Sequence, residues 1–224
     1  MKKKLVVLSG AGISAESGIP TFRDSDGIWE KYNVEDVAHI SAWKKNKEQI
    51  LEFHNILRRE VLSKRPNEAH NIISDLEDKY DVTVITTNVD DFHERAGSTK
   101  VIHLHGDITK SQSSKNPKLI YEQLVDINIG DKAEDGSQLR PNVVWFGEDV
   151  PYIYNAVEII READIMIIIG TSMQVYPAAS LVNFLPHNCK VYIVNPEKYE
   201  EQPDGMEHIQ LKATSGMEKL KKIL

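Results

Sequence analysis

Gly10-Ala11-Gly12 follows an apolar run at 5–8, and Ala15 stands three residues further on. Glycines spaced this way, between a strand and a helix start, form a loop whose main-chain N–H groups cradle a pyrophosphate. Gly10 is expected to take the tight turn, Gly12 to let phosphates approach, and Ala15 to keep the helix close to the sheet. The continuation departs from an ordinary dinucleotide unit, because Gly18-Ile19-Pro20 stops the helix at once. Phe22 and Arg23 then fall on a loop, and a guanidinium there suits an anionic ligand. Three more clusters carry chemistry: Thr87-Asn88-Val89-Asp90, His103-Leu104-His105-Gly106, and Gly170-Thr171-Ser172 with Asn195. His105 is the candidate general base, since an imidazole titrating near neutrality can take a proton from a hydroxyl. It also reads as a strand cap, or with His103 and Asp107 as an H-x-H metal pair on one strand face, the last being the weakest reading. Asn88 and Asp90 lie two apart and could face one ligand together, or form a capped turn in which Asp90 and Asp91 cap the helix that holds His93. Ser172 reads as a donor or as a plain turn residue.

These residues need a frame. Short runs rich in Val and Ile at 4–8, 82–86, 101–104, 165–169 and 191–194 predict parallel strands buried on both faces. Helical patterns lie between several of them, at 68–79, 152–163 and 178–185. The predicted fold class is α/β, a Rossmann-like parallel sheet with helices on both faces. The chemical clusters all sit at strand C-terminal ends, the edge at which open parallel sheets bind ligands. Two stretches do not read as core sheet: 29–63 is mostly helical in pattern, and 107–139 is polar and loop-like. The C-terminus at 219–224 reads as an amphipathic end helix with a solvated basic face.

The order of these motifs resembles the sirtuins, the NAD-dependent protein-lysine deacylases. Residues 10–23 match the family pattern GAGxSxxSGIPxFR nearly throughout. Thr86-Thr87-Asn88-Val89-Asp90 with His93 and Ala96-Gly97 is similar to TQNxDxLHxxAG, and His103 to Gly106 to xLHG. VVWFGE at 143–148 resembles the substrate-strand motif. Gly170-Thr171-Ser172 and Val194-Asn195-Pro196 resemble the two later nucleotide loops. The resemblance covers nearly the whole chain.

The resemblance implies a core at about 1–28, 64–106 and 140–224, with a smaller, mostly helical or loop-like domain from insertions at 29–63 and 107–139. It implies NAD as cofactor, held by Gly10, Ala11, Gly12, Ala15, Phe22, Arg23, Thr87, Asn88, Asp90, Gly170, Thr171, Ser172 and Asn195. It makes His105, Asn88 and Asp90 the catalytic set. Nicotinamide leaves, the acyl group passes to ADP-ribose, and His105 activates a ribose hydroxyl. An acyl-lysine protein or peptide would lie against His54, Leu57, Val144, Trp145, Phe146 and Gly147, adding a strand to this segment; Trp145 and Phe146 equally suit a core. ADP-ribosyl transfer, NAD hydrolysis and a non-catalytic NAD sensor are the alternative functions on the same scaffold.

Three departures from the family pattern bear on function. Most sirtuins hold a structural zinc with two CxxC pairs, but 107–139 contains no cysteine and Cys189 is the only one in the chain. No zinc and no other metal are expected, and this is read as a bacterial-type member lacking the zinc cysteines. Packing through Leu119, Ile120, Tyr121, Leu124 and Ile127 is expected to hold the module instead. Thr87 replaces the family Gln, whose amide reaches the nicotinamide ribose. His54 and Leu57 replace the Tyr and Arg that mark sirtuins preferring acidic acyl groups, so succinyl-lysine is expected to be a poor substrate.

Composition sets outer limits. A chain of 224 residues with 41% apolar content and net charge −7 suits one packed domain and argues against nucleic acid as partner. The single cysteine fits a reducing compartment. The apolar run at 5–8 is too short for a signal segment, and no stretch approaches a membrane span. A cytoplasmic monomer is expected.

Overall fold

The computed structural model describes residues 2–21, 32–197 and 205–224. Phe22 and Arg23 lie outside the described residues.

The main sheet has six strands, all paired in parallel, in the order β3-β2-β1-β7-β8-β9. Its members are β1 (Lys4–Ser9), β2 (Asp81–Thr86), β3 (Val101–His103), β7 (Ile165–Ile169), β8 (Lys190–Val194) and β9 (Met206–Ile209). The strand order reverses between β1 and β7, so the crevice at their C-terminal ends is the topological switch point where such sheets bind ligands. β1 and β7 are apolar almost throughout because both faces are covered. On one face, α4 (Glu68–Asp75) and α7 (Ala213–Lys221) pack Ile72, Ile73, Met217 and Leu220 against Leu5, Val7, Ile167 and Tyr192. On the other, α6 (Ile153–Ile160) and a 3-10 segment, Ala178–Phe184, pack Ala156, Ile160 and Leu181 against Val6, Leu8, Met166 and Ile168. Each such Ile or Leu taken out of water contributes roughly 1.5–3 kcal/mol. No helix among the described residues is long and apolar enough to cross a membrane.

The second module holds α1 (Val34–Val37), α2 (Ile40–Lys45) and α3 (Lys47–Ser63), together with a three-stranded antiparallel sheet. Its strands β4 (Gly106–Ser113), β5 (Ile120–Glu122) and β6 (Leu139–Val143) run in the order β5-β4-β6. This corrects the loop-like reading of 107–139, and β6 runs across the expected boundary at 140. β4 escaped notice because its buried positions include Ser111 and Ser113, which give no apolar alternation.

The expected packing of this module is also corrected. Ile127 is buried, but Ile120 and Leu124 are 45% and 52% exposed. Ile127 joins Val37, Trp43, Ile50, Phe53 and Trp145 in a buried apolar cluster, and polar side chains add to it. Asn55 of α3 accepts from Ile127 N at 2.9 Å and donates to Ile127 O at 2.9 Å. Arg58 donates to Ile108 O at 2.9 Å and to Asn55 Oδ1 at 2.6 Å. Ser113 Oγ lies 2.6 Å from Asp135 Oδ2 and 2.8 Å from Ser137 Oγ. These oxygens are hard donors already bonded to one another, unlike the thiolates and imidazoles that structural zinc selects. Among the described residues, no three His, Cys, Asp or Glu side chains are placed to hold a metal ion.

Candidate active site

Two glycine loops meet at the switch point. Gly10 N donates to Ile169 O at 3.0 Å, and Gly12 N to Gly170 O at 2.8 Å. A Cβ on Gly12 would lie 2.8 Å from Gly170 Cα, and one on Gly170 would lie 2.2 Å from Ile13 N. The missing side chain of Gly12 therefore lets two main chains touch, a constraint that acts before any phosphate arrives. The two lips of the crevice are backbone: Gly10, Ala11 and Gly12 on one side, Gly170 and Thr171 on the other.

The helix expected after Gly12 is two 3-10 turns, Ala11–Ile13 and Ala15–Ser17, ended by Gly18 in the left-handed region at φ 87°. Ala15 is exposed. Its expected role, pressing a helix to the sheet, is corrected: two short 3-10 turns stand in place of the helix, and Ile13 makes the buried contact.

Ser14 occupies the floor of the loop, 1% exposed. Its Oγ donates to Asp90 Oδ2 at 2.9 Å and accepts from Asn88 Nδ2 at 3.2 Å. Asn88 and Asp90 thus do face one place together. Asp90 also accepts from Phe92 N at 3.2 Å, so it caps α5 (Phe92–Arg95) as well. Burial pushes the Asp90 carboxyl up to about 6, against the bonds from Ser14 and Phe92 N. Beneath them, Ser9 Oγ donates to Thr86 Oγ1 at 2.9 Å and contacts His93 Nε2 at 2.8 Å. Sequence reasoning assigned no role to Ser14, Ser9 or His93. The signal for Ser14 and His93 was their place in the family patterns, as the first Ser of GAGxSxxSGIPxFR and the His of TQNxDxLHxxAG.

His105 lies two residues beyond the end of β3, after buried Leu104. Its Nδ1 lies 3.1 Å from Thr87 O. A carbonyl only accepts, so Nδ1 carries the proton and Nε2 presents a lone pair. Burial lowers the pKa of this ring, so it is neutral near pH 7. Gly106 comes next at φ 84°, where a Cβ would lie 2.1 Å from Asn142 O. Thr87 donates to Ser9 O through its amide at 3.0 Å and its hydroxyl at 3.3 Å. His103 is spent elsewhere: its nitrogens meet Asn88 O at 3.1 Å and Glu94 Oε1 at 2.8 Å. Burial opposes its charge, but Glu94 outweighs it and raises the pKa. The H-x-H arrangement is therefore divided between two tasks.

The loop after β7 carries Thr171, whose Oγ1 accepts from Met173 N at 3.1 Å, and the part-buried Ser172. Asn195, at the end of β8, donates to Thr171 O at 3.0 Å and accepts from Glu197 N at 3.0 Å, which ties the two loops together.

The expected substrate strand is corrected in part. β6 ends at Val143, and in the segment that follows the amides of 144–146 have partners. Val144 N donates to His105 O at 2.9 Å, Trp145 N to Glu148 Oε2 at 2.9 Å, and Phe146 N to Ala38 O at 2.8 Å. The Trp145 ring is core, 2% exposed, whereas Phe146 is 52% exposed. Gly147 turns away at φ 85°. His54 is buried with both ring nitrogens engaged, against Ile50 O at 2.8 Å and Trp145 Nε1 at 3.1 Å. Leu57 packs with Ile19, Val61, Phe92, Ile108 and Val143.

A six-strand parallel sheet with a glycine loop at its switch point, a neutral imidazole beside it and a small second sheet defines a nucleotide-dependent enzyme of the Rossmann-like class. The Sir2 family signature matches residues 10–177, and the chain belongs to the Sir2 family. It is 48% identical to the NAD-dependent protein deacylase of Helicobacter pylori strain ATCC 700392 / 26695, over 97% of this chain and 96% of that one. A Sir2 homologue solved in complex with NAD superposes with a TM-score of 0.88 at 37% identity, covering 99% of this chain and 89% of its own. A Sir2 variant solved with deacetylated p53 peptide and 3'-O-acetyl ADP-ribose gives 0.82 at 31% identity, covering 99% and 94%.

Proposed function

We propose that this enzyme is an NAD-dependent protein-lysine deacylase that works on acetyl-lysine and on longer apolar acyl-lysines. The observation that carries the reading is the tautomer of His105, fixed by Thr87 O, which leaves Nε2 as the basic atom. Support comes from the family membership and from the deacylase relative described above. Bound NAD would supply an electrophilic ribose carbon with nicotinamide as leaving group, and ADP-ribose would receive the acyl group.

The chain's own residues would divide the work as follows. The backbone of Gly10, Ala11, Gly12 and Gly170 would face the phosphates, and Thr171, Ser172 and Asn195 the adenosine half. Ser14 would hold Asn88 and Asp90 toward the nicotinamide end, with Thr87 beside them. His105 Nε2 would take a proton from a ribose hydroxyl. Phe22 and Arg23 would shield the reacting face. The shelf of Val144, Phe146 and Gly147 would carry the acyl-lysine, and Leu57 would line the acyl end. Leu57 lies in an apolar cluster, and the neighbouring Arg58 is turned to Ile108 O, so an acidic acyl group would meet no cation there. We also infer that the module around 29–63 and 107–139 is a small domain held without zinc, since its buried donors are hydroxyls, amides and a carboxylate.

The test is mass spectrometry of the purified enzyme with NAD and parallel acetyl-, longer-acyl- and succinyl-lysine peptides. Free lysine peptide with matching nicotinamide and acyl-ADP-ribose is the expected result, with succinyl turnover well below acetyl. Nicotinamide release without deacylation would replace this reading with ADP-ribosyl transfer or NAD hydrolysis. NAD binding with no turnover would replace it with a sensor.

A further inference from the structure

The shelf beside His105 is anchored from inside by one buried pair. His54 Nδ1 lies 2.8 Å from Ile50 O in its own helix, so Nδ1 carries the proton. Nε2 is then an acceptor, and it receives the indole N–H of Trp145 at 3.1 Å. An indole N–H can only donate, so both ends of His54 demand the same tautomer. Each residue is 2% exposed. Burial pushes the His54 pKa down to about 3, so the ring stays neutral.

Trp145 is gripped on its other sides too. The Arg140 guanidinium lies 3.4 Å from the ring centroid. Arg140 forks onto Glu148 at 2.6 and 2.8 Å, and Glu148 Oε2 accepts from Trp145 N at 2.9 Å. Trp43 packs against the indole with centroids 5.4 Å apart. The residues on either side of Trp145 are the accessible ones, Val144 in part and Phe146 more fully. Val144 is bonded to the carbonyl of His105, and half-exposed Phe146 is bonded to Ala38 and Ile40 in the α1–α2 segment. The orientation of the indole therefore sets where Val144 and Phe146 stand relative to the base.

We infer that His54 is a positioning residue for the acyl-peptide: through the Trp145 indole it fixes the shelf of Val144, Phe146 and Gly147 beside His105. It does this from the interior of α3, with no contact of its own to the substrate. The inference rests on the deacylase reading and on the shelf as the place of the acyl-lysine.

The experiment is steady-state kinetics of wild type, His54→Leu and His54→Gln, with acetyl-lysine peptide varied at saturating NAD and NAD varied at saturating peptide. Leu removes the acceptor, and the peptide KM is expected to rise about tenfold, with kcat and the NAD KM within about twofold. Gln offers an amide oxygen to the indole and is expected to recover most of the loss. Trp145→Phe removes the donor instead and should raise the peptide KM similarly; the double variant His54→Leu, Trp145→Phe should add little more. With 15N-labelled indoles, of which the chain has three, one N–H signal should shift in His54→Leu and return in His54→Gln. An unchanged peptide KM, a loss confined to kcat, or a failure of Gln to rescue while the indole signal returns would overturn the role of His54. If His54→Leu does not fold, the same readings from His54→Gln and Trp145→Phe decide it. Wild type without acyl-peptide turnover would instead bring down the deacylase reading, and this inference with it.

Discussion

The ring of His105 is tied to the main chain of Thr87, Nδ1 to carbonyl oxygen at 3.1 Å. The two residues lie just beyond the C-terminal ends of neighbouring parallel strands, β3 and β2, so the sheet brings the base to this carbonyl. The tautomer depends on a peptide carbonyl, which every residue at position 87 would provide. Position 87 is therefore free to vary in side chain without loss of the basic nitrogen.

Replacing His105 by Ala should lower deacylation about a thousandfold, within the range general-base removal produces, while NAD affinity changes little. Isothermal titration with NAD and peptide turnover on the same sample check this. Because burial lowers the His105 pKa, the acid limb of kcat/KM should fall below the ordinary histidine value of 6.5. An acid limb above that value would remove His105 from the role.

Thr87→Gln restores the side chain the family motif carries there. It keeps the carbonyl that holds His105 and gives up only the 3.3 Å hydroxyl contact to Ser9 O. The expected outcome is an NAD KM lowered a few fold, on the order of one hydrogen bond, with the acid limb unmoved. Initial rates over a range of NAD concentrations read both.

Stability should drop steeply in mild acid. His54 and His70 are buried neutral, with pKa values pushed by burial from 6.5 down to about 3 and about 4. For a lowered value, the unfolded chain binds protons first as pH falls through 6.5. Stability is therefore fully present above 6.5 and is lost down to about 4 for His70 and about 3 for His54. At pH 5 each ring costs about 2 kcal/mol. Asp90 works the other way: its raised value favours the fold below about 4, and that contribution is lost as pH rises through about 6. Urea midpoints of the wild type and His70→Gln at pH 7.5 and 5 should show the variant losing less.

Gly106→Ala places a Cβ 2.1 Å from Asn142 O at φ 84°. Both strain and collision apply, and a loss of about 3 kcal/mol or more is expected in thermal or urea unfolding. Gly136→Ala is the control, since its φ of 74° is similar but no atom lies within 4 Å of the added carbon. It should cost about 1 kcal/mol.

Exhaustive chelation should leave the melting temperature and turnover unchanged, because the module rests on Asn55, Arg58 and the Ser113, Asp135 and Ser137 group. Asn55→Ala, which strips the partner from Ile127 N and O, should cost about 3 kcal/mol by leaving buried groups unpaired. A melting temperature that falls with chelation would contradict the metal-free module.

The parallel sheet was legible because burial on both faces writes continuous apolar runs: 165–169 was read to the residue, and β1, β2, β3 and β8 to within one residue at either end. β9 was not legible. Its sequence, Met-Glu-His-Ile, belongs to an edge strand with polar residues facing out. The second sheet was hidden for a related reason, as its buried positions include the polar residues Thr109, Ser111 and Ser113, which leave no hydrophobic period. The location of the site was legible from glycines at strand ends. Its floor was not, because Ser9, Ser14 and His93 matter through contacts 74 to 84 residues apart in sequence. His54 was placed at the acyl end by resemblance to the family's Tyr position, and its bond to the Trp145 indole, 91 residues away in sequence, could not be read from the sequence.

Gly106 is where the parallel sheet hands the chain over to the antiparallel one, one residue after the base. The carbonyl of His105 also carries Val144, so both ends of the second sheet are fastened within a residue of the imidazole. The base thus stands at the fulcrum of the two bodies. A displacement of either strand end would therefore be felt at the imidazole before it reached the exposed tip near Leu124 and Val125.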